Sequence, residues 1–178
     1  PDLLTLQEVT GAPVFDDLLA RLPGYEGKLG VLAAGSGNLM QAVLWNPARV
    51  SVTSVEDLFT SGAVSAFFPR PPLRWATAVV GRDAHFDTLA VHLKAGARPA
   101  DEQTRISALA SLDTEGRRRV GTGEDELLLL GDFNEALSDP RSAEAFAPFT
   151  AAPELYRALS LPLADAGVVT FLPARLYF

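Results

Sequence analysis

Four residues of this 178-residue chain pair chemically useful side chains with positions at or just past the end of an apolar run: Glu8, His92, Asp132 and Asn134. Polar groups that project from strand ends on a rigid scaffold are a common way to build a site. Asp132 and Asn134 follow the apolar residues 127–130, with Gly131 just ahead of them. Two residues apart in an extended chain, their side chains point the same way. One offers a carboxylate; the other offers an amide that can donate to an oxyanion and accept from water. Gly131 permits close backbone approach or unusual dihedral angles. The same residues also suit an ordinary strand-ending turn, and taken alone the two readings are balanced.

Glu8 closes the run Leu3-Leu4-Thr5-Leu6-Gln7-Glu8. By itself it reads as a solvated residue where a strand meets water. Its functional reading is a ligand for a hard cation such as Mg²⁺, which takes one or two carboxylates and completes its shell with waters and phosphate. His92 lies near the end of residues 86–93. By alternation it shares a face with Phe86, Thr88 and Ala90, opposite Leu89, Val91 and Leu93. An isolated histidine there reads as a satisfied, partly buried side chain. The sharper reading is a general acid or a donor to a phosphoryl oxygen, because imidazole suits proton work near neutral pH. His85, the other histidine, sits at the turn before the same run and reads as a surface residue.

The elements that must position these residues follow from periodicity. Residues 3–9 form a short strand, with Leu4, Leu6 and Glu8 on one face if the chain is extended. A helix follows, with Pro13 near its start and Val14, Leu18 and Leu19 at helical spacing. Residues 29–33, 39–45 and 49–55 read as three strands. They are joined by Gly35-Ser36-Gly37-Asn38 and by Asn46-Pro47, which have hairpin turn chemistry. Residues 73–80 and 86–93 form another strand pair around Gly81-Arg82-Asp83-Ala84.

Residues 100–118 predict an amphipathic helix carrying Ile106, Leu109 and Leu112 on one side, with Asp101, Glu102 and Arg105 near its start. The continuous apolar run 127–130 predicts a strand covered on both faces. Short helical patches are expected near 142–147 and 153–160, and a last strand at 168–172. No repeat or low-complexity linker interrupts the chain, so residues 1–178 read as one domain. Many strands with few helices predict an α/β (α+β) arrangement of stacked sheets with helices outside.

Composition narrows the chemistry. There is no cysteine, which removes disulfides, thiolate metal sites and a cysteine nucleophile. The net charge is −7, with 15 Lys and Arg against 22 Asp and Glu. That balance argues against tight, nonspecific grip on nucleic acid, which draws on a basic surface. The run Arg117-Arg118-Arg119 reads as a solvated helix end. Residues 61–69, with Val64, Phe67 and Phe68, read as a strand edge or core, or as a hydrophobic substrate loop. No stretch approaches the length needed to span a membrane.

Taken together, the four residues form an ordered series. The run from Pro1 to Val9, ending in Leu6-Gln7-Glu8, resembles the Leu-Gln-Glu strand of the endonuclease/exonuclease/phosphatase (DNase I-like) family. Val91-His92-Leu93-Lys94-Ala95-Gly96 resembles that family's strand ending in an asparagine/histidine-leucine stretch, and Gly131-Asp132-Phe133-Asn134 resembles its Gly-Asp-Phe-Asn signature. Arg70-Pro71-Pro72-Leu73 and the helix carrying Arg105 look similar too. The resemblance covers nearly the whole chain.

The resemblance implies a four-layer α/β sandwich, two packed mixed β-sheets flanked by helices, with the site at one end. It implies Glu8 as the ligand of Mg²⁺ or Mn²⁺, Asp132 as the residue that orients or activates water, and Asn134 as a phosphate holder. His92 takes the position of a phosphate-contacting residue that could serve as acid. The implied reaction is in-line attack of water on phosphorus. The substrate would be a phosphoester: nucleic acid, phospholipid or a small phosphodiester. Alternatives are a phosphatase or phospholipid phosphodiesterase of the same family, and a catalytically inactive binding module with the same fold. The family pattern also places an Asn-bearing strand before Pro1, and an orienting Asp and a terminal Asp-His pair after Phe178. On that expectation residues 1–178 form a fragment, inactive and poorly folded when isolated.

Overall fold

Alternation along the first strand splits its side chains between two cores, and the rest of the architecture follows from that split. The computed structural model describes residues 1–32, 37–123 and 126–166. The strands are β1 (Leu3–Val9), β2 (Glu26–Leu29), β3 (Met40–Trp45), β4 (Val50–Asp57), β5 (Leu73–Val79), β6 (His85–His92) and β7 (Leu127–Asp132). The helices are α1 (Ala12–Ala20), α2 (Pro99–Gly121), α3 (Ala143–Thr150) and α4 (Leu161–Asp165).

The strands form two sheets, ordered β1-β3-β2 and β4-β5-β6-β7. In the first sheet β3 is central, and Ala42 and Leu44 pack with Leu4, Leu6 and Phe15 of α1. Val43 and Trp45, on its other face, pack with Leu73, Trp75 and Ala90 of the second sheet. On the far side of that sheet Leu89, Val91 and Leu93 meet Leu109 and Leu112 of α2 and Phe146 of α3. Helix, sheet, sheet and helices thus make the four layers expected. The first sheet is antiparallel throughout, among the described residues, while the second is mixed because β7 runs parallel to β6. A parallel pair needs a long crossover, and α2 supplies it.

Several expectations change in detail. The Asn46-Pro47 turn is not a hairpin: it carries the chain from β3 in one sheet to β4 in the other. The strand expected at 29–33 ends at Leu29 and begins at Glu26, because the exposed edge of the sheet tolerates the polar residues Glu26 and Lys28. Residue 33, the Gly35-Ser36 half of the following linker and the strand expected at 168–172 lie outside the described residues. In α1 the buried anchor is Phe15, whereas Val14 is exposed.

Residues 153–160 form turns and not a helix; Leu155 and Leu159 stay exposed, so a helix there would have no apolar face to bury. Residues 61–69 contribute Phe68, Phe67 and Val64 to the core around α2, as the core reading has it. Arg119 is not solvated. It is buried against Asp87 at 2.9 Å, while Arg117 and Arg118 stay at the surface. None of the described helices is long and apolar enough to cross a membrane.

Candidate active site at one end of the two sheets

Glu8 reaches the site through an irregularity. Strict alternation would place its side chain with Leu4 and Leu6 on the α1 side. The pairing of β1 with β3 instead slips between Leu6 and Val9, and Glu8 adopts φ 60°. A bulge of this kind re-aims the side chain. Val9 therefore joins the α1 core, and Glu8 turns toward the second sheet. A non-glycine residue in the left-handed region costs energy, and such strain gathers at functional sites.

His92 ends β6 on the face between the sheets and is 3% exposed. Its Nε2 lies 3.9 Å from a Glu8 oxygen and 3.9 Å from an Asp132 oxygen. One carboxylate comes from each sheet, and both approach the same imidazole nitrogen. Its Nδ1 is buried without a hydrogen-bond partner among the described residues. Burial pushes the imidazole pKa below its ordinary value, and Arg70 pushes the same way; Asp132 and Glu8 oppose them without winning. Near neutral pH His92 is thus a neutral imidazole, better suited to donating a hydrogen bond than to serving as a standing acid.

That depression has a consequence for stability. A histidine with a lowered folded pKa binds fewer protons folded than unfolded, so its stability contribution is present above the unfolded pKa, about 6.5, and is lost as pH falls below it. In urea titrations with chelator present, stability is expected to drop between about pH 7 and pH 5 more steeply in the wild type than in His92→Gln. Equal slopes in the two proteins would refute it.

Asp132 is placed by pairing. β6 and β7 run in register so that Val91 faces Gly131 and His92 faces Asp132. The Leu93 backbone N–H donates to the Asp132 carbonyl at 2.9 Å, which extends the ladder past His92. Asn134, at φ 50°, closes an Asx turn: its backbone N–H donates to Asp132 Oδ1 at 2.8 Å. The turn reading and the site reading thus describe the same residues. The Asn134 amide donates from Nδ2 to the Leu93 carbonyl at 3.0 Å, which commits one of its two N–H groups and leaves its oxygen and the other N–H.

Two arginines hold these loops. Arg70, 9% exposed, donates to the same Leu93 carbonyl at 2.5 Å. Arg105 of α2 donates to the Lys94 and Gly96 carbonyls at 2.9 and 2.8 Å, and its Nε donates to Glu135 at 2.6 Å. It thereby ties the loop after β6 to the loop after β7. The periodicity of α2 could have exposed this role, because Arg105 falls on the buried stripe with Ala108, Leu109 and Leu112. Arg105→Met leaves the largely covered Glu135 with Ser142 but without its cation, and is expected to cost about 3 kcal/mol in chemical denaturation. A loss under 1 kcal/mol would show that the tie is dispensable.

Among the described residues no group of three or more His, Cys, Asp or Glu side chains is arranged to hold a metal ion. The Glu8 carboxylate is 64% exposed and takes no hydrogen bond within the described residues. A hard carboxylate open to solvent fits a cation of the Mg²⁺ type, which keeps several waters. His85, as expected, is exposed and apart from this group.

No protein-family model matches the chain, and no curated protein sequence matches it significantly. Solved structures do. The human Nocturnin catalytic domain with bound sulfate is similar at TM-score 0.69 and 21% identity, over 95% of this chain and 63% of that one. An endonuclease/exonuclease/phosphatase family protein from Bacteroides thetaiotaomicron is similar at TM-score 0.61 and 15% identity, over 82% and 53%. ANGEL2, described as a 2′,3′-cyclic phosphatase and bound to adenosine-2′,3′-vanadate, is similar at TM-score 0.59 and 20% identity, over 82% and 43%. The chain spans less than two thirds of the length of each of these structures. With its two sheets enclosed by helices, it has the endonuclease/exonuclease/phosphatase, DNase I-like fold.

Proposed function

We propose that this chain is the catalytic part of a metal-dependent phosphoesterase that cleaves phosphodiester bonds by in-line attack of water. The observation that carries the reading is the approach of Glu8 and Asp132, from opposite sheets, to 3.9 Å from Nε2 of the buried residue His92. Glu8 would hold Mg²⁺ or Mn²⁺, which when bound neutralises charge on the phosphoryl oxygens. Asp132, fixed by the Asx turn, orients the attacking water and accepts its hydrogen bond. His92, kept neutral, donates from Nε2 toward a phosphoryl oxygen. Asn134 holds the loop through one N–H and presents the other to the phosphate. The leaving oxygen departs opposite the water as the new P–O bond forms, the water's proton passing to Asp132 and the departing oxygen taking one from solvent.

The net charge of −7 favours a small phosphodiester or a phospholipid over long duplex DNA, because a nucleic-acid track would need a basic face. The likeness to a protein described as a 2′,3′-cyclic phosphatase supports including a cyclic phosphodiester among the substrates. The test is hydrolysis by the whole protein, with Mg²⁺ or Mn²⁺, of bis(4-nitrophenyl) phosphate, a 2′,3′-cyclic nucleotide, a phospholipid and plasmid DNA. Asp132→Asn is expected to lower kcat on the active substrate by roughly 10³-fold while the protein stays folded. No turnover of any of the four, or a fully active Asp132→Asn, would overturn the proposal.

A further inference from the structure

Four arginines are buried or nearly so, and three of them are closed by a carboxylate. Arg74 meets Asp87 at 2.5 Å, Arg105 meets Glu135 at 2.6 Å and Arg119 meets Glu115 at 2.7 Å. Arg70 is the exception among the described residues. It donates to the Leu93 carbonyl, and its Nε is buried with no partner. A cation withdrawn from water needs compensation from somewhere. Its guanidinium is bonded to the carbonyl of Leu93, the residue next to His92, on whose Nε2 the Glu8 and Asp132 carboxylates converge at 3.9 Å, yet it forms an ion pair with neither among the described residues.

The separation is built in. The chain on the C-terminal side of Arg70 is fixed by Gln41 Nε2, which donates to the Pro71 carbonyl at 2.6 Å, and by the Leu58 N–H, which donates to the Pro72 carbonyl at 2.8 Å. The head of the side chain is fixed at Leu93, whose carbonyl also takes the Asn134 amide. Held at both ends, Arg70 cannot fold down onto either carboxylate without giving up those bonds.

We infer that Arg70 is a fixed counter-charge of this site, placed near enough to offset the repulsion between Glu8 and Asp132 but too far to cap either. This rests on the reading of Glu8 as a cation ligand. Its consequence is a trade: a standing positive charge beside the site weakens binding of a divalent cation and strengthens binding of an anionic phosphate. A residue that only supported the loop would produce neither sign when replaced.

The decisive measurement is the Mn²⁺ dissociation constant of the whole protein, read by electron paramagnetic resonance of the free ion. Arg70→Met is expected to bind Mn²⁺ about tenfold more tightly than wild type, given one charge acting on a divalent ion at several ångströms in an intermediate dielectric. Arg70→Lys, which keeps the charge, is expected to stay near wild type. Inorganic phosphate, by contrast, should bind more weakly to Arg70→Met than to Arg70→Lys. If Arg70→Met does not fold, Arg70→Gln takes its place, because its amide can still donate to a carbonyl. Unchanged or weaker Mn²⁺ binding in a folded, uncharged variant would overturn the inference while leaving the function reading intact. A wild-type protein that binds no Mn²⁺ would overturn both.

Discussion

Gly131→Ala is expected to abolish cooperative folding of the second sheet. A Cβ at this position would lie 2.0 Å from the Val91 carbonyl oxygen and 2.8 Å from the Val91 nitrogen. These are backbone atoms of the strand paired with β7, so no side-chain rotation can relieve the clash. The backbone is also at φ 132°, which side chains other than glycine's hydrogen rarely tolerate. Relief requires β7 to move away from β6 at the Val91–Gly131 pair, next to the one that brings His92 and Asp132 together. The cost should exceed about 4 kcal/mol, a large share of the 5–15 kcal/mol by which domains are ordinarily stable. Thermal melting checks this: a Gly131→Ala protein that melts within a few degrees of wild type would contradict the packing described.

The second large effect separates stability from activity at Glu8. Its left-handed backbone carries a penalty of about 1–2 kcal/mol that glycine does not incur. Glu8→Gly is therefore expected to raise the melting temperature, or at least to exceed Glu8→Ala, which keeps the strain. Both variants are expected to lose phosphoester hydrolysis by roughly 10³-fold, since each removes the carboxylate assigned to the cation. Glu8→Gln should lose as much activity while keeping the side chain's size. The pair of measurements distinguishes roles. If Glu8 were only a solvated strand end, activity would survive in all three, and the stability difference between glycine and alanine would remain.

Much of this arrangement was legible before any coordinates. Periodicity placed α2, the β5–β6 pair and β7, and it set His92 on the side of β6 away from Leu89, Val91 and Leu93. The three short motifs pointed to the fold that the structural neighbours share. The facing of Glu8 was not legible. Two-residue alternation puts it with Leu4 and Leu6, and only the bulge reverses that: three steps of β1, from Leu6 to Val9, face two of β3, from Ala42 to Met40, and no pattern within β1 marks the extra residue. The division into sheets was hidden for a related reason. Asn46-Pro47 has the chemistry of a turn, but turn chemistry does not say whether the next strand pairs with the last one or crosses to another layer. Nor does a local pattern reveal that Arg70 ends on the Leu93 carbonyl, 23 residues away, or Arg105 on the Lys94 carbonyl, 11 residues away, because those bonds exist only once β6 and α2 have docked.

The buried stripe of α2 begins and ends in charge. Arg105 grips carbonyls just beyond one end of β6, and Arg119 grips Asp87 near its other end. Between them the contact is alanine and leucine, apolar packing that is strong but carries no direction of its own. Two directional clamps at the ends of a nondirectional interface make a splint. The helix can neither translate along the strand nor roll over it without breaking an end, so the length of α2 measures out β6. The loop that carries the site from Leu93 onward is therefore set in position by an attachment near the opposite end of β6.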